Sequence, residues 1–167
     1  MSLDHDFLLL DRQIDGEPPR AGIFHDSRAI QLHDDLVRYL GDTLAWIPTF
    51  NPSTQQSQRG LNMWGITVIE RAGADCAERV FRTWAQLLAC GPSVLQLTGC
   101  YGWGQQIADP VSAEIPQRNF DSQQLEGGYD ALEFDRQAVV STLQQLADYA
   151  ALVRDSNGRL YLYHCGV

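Results

Sequence analysis

The chain contains no lysine: all 12 of its basic residues are arginine, set against 21 aspartates and glutamates for a formal net charge of -9. That shortage of positive charge argues against phosphate-backbone binding, which draws on clustered Lys and Arg, so no nucleic-acid ligand is expected. A basic protein partner is compatible with it. Without Lys there is no G-K-[ST] phosphate loop, and neither C-x-x-C nor G-x-S-x-G occurs. Long apolar runs are missing too. The first, residues 7–10, is flanked by Asp6 and Asp11, whereas a membrane helix needs about 20 apolar residues. A signal peptide needs a longer apolar stretch after positive charge. No membrane association or targeting segment is therefore expected, and the cytoplasm is the expected compartment. The four cysteines are Cys76, Cys90, Cys100 and Cys165. Cys76 and Cys90 fall in one predicted helix, about 21 Å apart at the helical rise, too far to pair. Reduced thiols are expected.

What is present suits one globular domain over residues 1–167, with hydrophobic residues at 44% to form its core. Residues 7–10 read as a buried strand and 21–24 as a second, hairpin-paired across the Gly16–Pro19 turn. Ser27 is the expected N-cap of a helix to about residue 40, with Ile30, His33, Leu36, Val37 and Leu40 on one face and Gly41 as its stop. The Pro-, Ser-, Gln- and Asn-rich segment 47–60 reads as an exposed loop. Residues 63–69, with Ile66, Thr67, Val68 and Ile69, predict a central strand.

Asp75 and Glu78 imitate a capping box for a helix whose stripe is Ala77, Val80, Phe81, Trp84, Leu87 and Leu88. Gly91-Pro92 ends it. Strands are predicted at 94–103 and 129–134. Asp135 should cap a helix that buries Val139, Val140, Leu143, Leu146, Ala147, Ala150 and Val153, and a last strand covers 160–165. The predicted class is α+β: a split βαβ, ferredoxin-like core from about residue 63, preceded by a β-hairpin and a helix. An α/β open mixed sheet is the alternative.

Chemical motifs are weak. The run Gly99-Cys100-Tyr101-Gly102-Trp103-Gly104 follows a strand but opens no convincing helix, so it reads as a strand end with close backbone packing; the functional alternative is an aromatic binding rim built from Tyr101 and Trp103. The pairs Asp4-His5-Asp6, His25-Asp26 and His33-Asp34-Asp35 suggest metal ligands. They fall on a terminus, a strand end and a helix, and with this many Asp adjacency is expected by chance. No metal and no cofactor are expected. His164 and Cys165 are neighbours on one strand, so they point to opposite faces. Cys100 with His164 is the reactive pair that the topology allows. The carboxylates Glu114, Asp121, Asp130 and Glu133 fall in loops or at strand edges. Trp64 and Trp84 read as core residues. Trp46, Tyr101, Trp103 and Asp130 are the candidate partner- or ligand-binding residues.

Two functional expectations follow. The first is an acidic protein-binding module of inhibitory, immunity or adaptor type, with homodimerisation open. The alternative is a small-ligand binder or enzyme with a pocket near residues 99–128.

Overall fold

The computed structural model describes residues 4–19, 26–98 and 131–166. Among them are eight strands and four helices, and every strand pair is antiparallel, so the α+β class holds. The first strand, β1 (Asp4–Asp11), pairs on one side with β2 (Ile30–His33) and on the other with β8 (Leu160–Gly166). Two short helices, α1 (Asp34–Tyr39) and α2 (Gly41–Leu44), follow β2. A hairpin of β3 (Pro48–Asn51) and β4 (Gln56–Arg59) leads to β5 (Gly65–Ile69) and the long helix α3 (Arg71–Ala89). The ribbon β6 (Val94–Thr98) and β7 (Ala131–Asp135) precedes α4 (Arg136–Asp155). The main sheet has the order β2-β1-β8-β5-β3-β4, and β6-β7 stand apart as a two-stranded sheet.

Alternation along the strands divides the sheet into two apolar faces. Phe7, Ile30, Leu32, Ile69 and Leu162 join the core under α3 and α4, while Leu8, Leu10, Ile66, Val68, Tyr161, Tyr163 and Cys165 form a second cluster on the opposite face. Helix α4 behaves as its periodicity predicts. Every residue foreseen for the inner stripe of α4 is buried, and Asp135 Oδ1 accepts from the Ala138 backbone N–H at 2.7 Å. Substituting Asp135→Ala should lower stability by about 1 kcal/mol. A urea denaturation midpoint unchanged from wild type would show that this cap does not matter.

Several expectations need correction. The split βαβ arrangement would set β7 beside β5. Instead β5 is flanked by β8 and by β3, through Phe50 opposite Val68, so the ribbon cannot enter there. Segment 47–60, read as a loop, is the hairpin that takes this place; Gln55 supplies the left-handed residue at its turn (φ 57°). The helix expected from Ser27 begins only at Asp34, because Ile30 and Leu32 are buried on either side of exposed Gln31, a period of two that suits a strand on β1. The strand expected at 21–24 lies outside the described residues, and β1 has β2 and β8 as its partners. Lastly, Asp75 caps nothing. α3 starts four residues earlier, and Asp75 pairs with Arg79 one turn on.

On α3 the stripe also drifts. Leu87 is 58% exposed, because it lies six residues past Phe81, about one and two-thirds turns on, and so sits at the stripe's edge. Trp64, expected in the core, precedes β5 and is 61% exposed.

Candidate functional site

The sheet carries a chain of polar side chains beneath α1. His5, read from the sequence as part of a frayed terminus, is the second residue of β1 and has no exposed surface. It lies on the helix-facing side with Phe7, and β8 brings His164 to the same side. His5 Nδ1 is 2.7 Å from His164 Nε2, and His5 Nε2 is 3.0 Å from Asp34 Oδ1. The two rings are within 14° of parallel with centroids 5.0 Å apart. That is close to the greatest separation a 2.7 Å nitrogen contact allows, so the rings meet edge to edge and do not stack face to face.

Asp34, the first residue of α1, is also buried, and its Oδ2 lies 2.8 Å from Arg38 Nε, one turn along the helix. The Arg38 N–H is not aimed along that contact, so an ion pair forms without a good hydrogen bond. His33 caps α1, its Nδ1 accepting from the Asp35 backbone N–H at 3.2 Å. The edge of its ring meets Phe134 of β7.

Burial pushes the His164 imidazole well below its usual range, and the neighbouring His5 pushes the same way. Burial also lowers His5, against the pull of Asp34, which favours the charged ring. Both rings are therefore neutral at pH 7. His5 Nε2–H donates to Asp34, His164 Nε2–H donates to His5 Nδ1, and His164 Nδ1 is left as a buried lone pair with no partner among the described residues.

A second feature is aromatic. Trp46 is 59% exposed where α2 runs into β3; its carbonyl accepts from Arg59 Nη1 at 3.0 Å and from Cys76 Sγ of α3. Eight residues along α3, the Trp84 indole N–H donates to Thr43 Oγ1 at 2.7 Å, and Tyr39 packs against the Trp84 ring edge-to-face. Trp46 and the Tyr39–Trp84 pair thus lie on the flank of α3 that α1 and α2 cover, with exposed Leu87 one turn past the partly buried Trp84. Asp42 beside it is exposed and has no ion-pair partner among the described residues.

Compared with protein-family models, with curated proteins and with solved structures, the chain matches none.

Of the candidates read from sequence, Trp46 stands on the surface as expected. Tyr101, Trp103, Asp130 and Cys100, with the 99–128 segment, Glu114, Asp121 and His25, lie outside the described residues. His164 is buried against His5, and Cys165 faces the opposite side of the sheet, where burial and nearby Asp6 push its thiol up. Glu133 is exposed and accepts from Gln96 across the ribbon.

No group of three or more His, Cys, Asp or Glu among the described residues is set to hold a metal ion. A cleft of about 360 Å³ opens between Glu17, Pro18, Phe50, Pro52, Gln55 and Glu70. Both of its carboxylates are already engaged by Arg12, which also donates to the Gly158 carbonyl and lies over the Tyr161 ring, so Arg12 ties the turn after β1 to the start of α3. No helix among the described residues is long and apolar enough to cross a membrane.

The sequence reading missed His5 with Asp34 because the two are 29 residues apart and meet only once β1 and β2 pair. The available signal was the recurrence of His beside Asp in both strands.

Proposed function

We propose that this chain is a protein-binding module of inhibitory, immunity or adaptor type, acting in the cytoplasm on a basic protein. The observation that carries the reading is Trp46, a large aromatic side chain 59% exposed on the segment that joins α2 to β3, beside the α3 flank that carries the Tyr39–Trp84 pair. Trp and Tyr carry much of the binding energy when a partner covers them, and an exposed Trp is the kind of anchor that a partner covers. The net charge of -9 and exposed Asp42 favour a basic partner and add to the rate of encounter. Free Cys76, Cys90 and Cys165 fit a reducing compartment. The cleft beside Glu17 and Glu70 carries no separate ligand reading: Arg12 bridges its two carboxylates as a tie between the turn after β1 and the start of α3.

The test is affinity capture from native lysate with wild type and with Trp46→Ala, eluted at rising salt. Wild type should retain one near-stoichiometric basic protein that salt releases. The variant should lose it by about 30-fold or more in affinity, as at an interface anchor worth about 2 kcal/mol. Its thermal midpoint should stay within about 2 °C of wild type, as expected for an exposed side chain. Equal capture by the two proteins would overturn the proposal.

A further inference from the structure

We infer that the His5–His164 contact is an acid-sensitive lock on the junction of β1, β8 and α1, and that opening it loosens the Tyr39–Trp84 contact at the far end of α1. The second half rests on the reading of that flank as the docking surface, whose regulation it names.

The argument is a count of protons. Two neutral imidazoles carry one N–H each, and the structure uses both: one toward Asp34 and one in the nitrogen contact. A third proton cannot be placed without harm. The shared contact holds one hydrogen, so both outer nitrogens must carry the others, and His164 Nδ1 becomes an N–H. This holds whether the charge sits on His164 or moves to His5 beside Asp34. His164 Nδ1 has no hydrogen-bond partner among the described residues and its ring is fully buried. A buried donor without an acceptor costs its full desolvation. A fourth proton would set two N–H groups head to head across 2.7 Å.

The surroundings do not relieve this. Among the described residues the charges acting on His5 are Asp34 and Arg38 of α1 and Asp4 of β1, and the one acting on His164 is His5. Thr67 of β5 lies opposite His164, but its hydroxyl oxygen is turned to the Asn62 N–H and makes no hydrogen bond to His164 Nδ1. The buried residues of α3 and α4 are all apolar. α1 is only six residues long, too short to persist unsupported, and Asp34 holds its first turn to the sheet through His5. Its last residue is Tyr39.

The sign follows from both rings lying below their usual value in the fold, while in the unfolded chain they titrate near about 6.5. The folded state therefore binds fewer protons. Stability is complete above that pH and falls as the pH drops through it. Each ring contributes up to about tenfold per pH unit in the folded-to-unfolded ratio, and the pair about a hundredfold.

The experiment follows the histidine ring nitrogens and the Trp84 indole N–H by NMR from pH 8 to pH 5, with denaturant titrations at each pH. Wild type and His5→Gln are compared. The Gln carboxamide can donate to Asp34 and accept from His164 without titrating. In wild type both rings should keep the neutral Nε2–H tautomer until a transition that moves the Trp84 signal at the same pH. The pH slope of stability in His5→Gln should be about tenfold shallower per unit. Should the variant fail to fold, the wild-type spectra decide alone. Either ring titrating near pH 6.5 within the intact fold would overturn the lock, and a Trp84 signal unmoved through the transition would overturn its link to α1. No partner enters this measurement, so the lock can fail while Trp46→Ala still abolishes capture, and the reverse.

Discussion

Gly73→Ala should destabilise the protein by about 3 kcal/mol, at the upper end of the usual cost of overpacking. Gly73 lies in the first turn of α3, where that helix crosses β3, and a Cβ built there would stand 1.9 Å from the Pro48 carbonyl oxygen and 3.0 Å from its carbon. Both are backbone atoms of a paired strand, so neither can turn aside. The helix must lift off the sheet, and with it go the contacts of Ala74 and Ala77, which are fully buried in the core. Alanine's better helix propensity, worth about 1 kcal/mol, acts in the opposite direction but is too small to decide the outcome. Gly41→Ala is the control, since a Cβ there meets nothing within 4 Å. Urea unfolding of the two variants beside wild type checks the prediction. Equal stabilities would mean that α3 is not seated on β3 as described.

Asp34→Ala should cost about 3 kcal/mol or more at pH 7.5, the penalty of removing one partner from a buried polar pair. It leaves the His5 Nε2–H without an acceptor and Arg38 without its counter-ion. His5 has no route to water, being fully buried, whereas the Arg38 side chain is 21% exposed and can turn outward, which keeps the figure toward the lower end. Asp34→Asn retains an oxygen for His5 and loses only the charge, so it should fall about midway between wild type and Asp34→Ala. Chemical denaturation of the three proteins reads the order directly. If Asp34→Ala matched wild type, Asp34 would not be anchoring α1, and the polar chain would be incidental to the fold.

The parts of this fold that were legible in the sequence are those held by neighbours in the chain. The inner stripe of α4 follows from apolar side chains recurring at helical spacing, and its start from a carboxylate three residues before a free N–H. β5 and β8 follow from compact β-branched and aromatic runs, and His164 and Cys165 part to opposite faces because strand geometry requires it. Trp46, set against a proline two residues on and outside any periodic stripe, was readable as a surface residue. What depended on distant pairing was not readable. Residues 30–33 fit a helix face and a strand edge alike, and only the proximity of β1 selects the strand. The hairpin at 48–59 is too polar to announce itself, yet it takes the place beside β5 that a split βαβ fold would give to β7. The polar chain joins residues 159 and 29 positions apart. Composition and periodicity act over a few residues and so determined the class, the long helices and the central strands of this protein. Strand order, the exposed aromatic flank and the facing histidines were decided by which edges met in three dimensions.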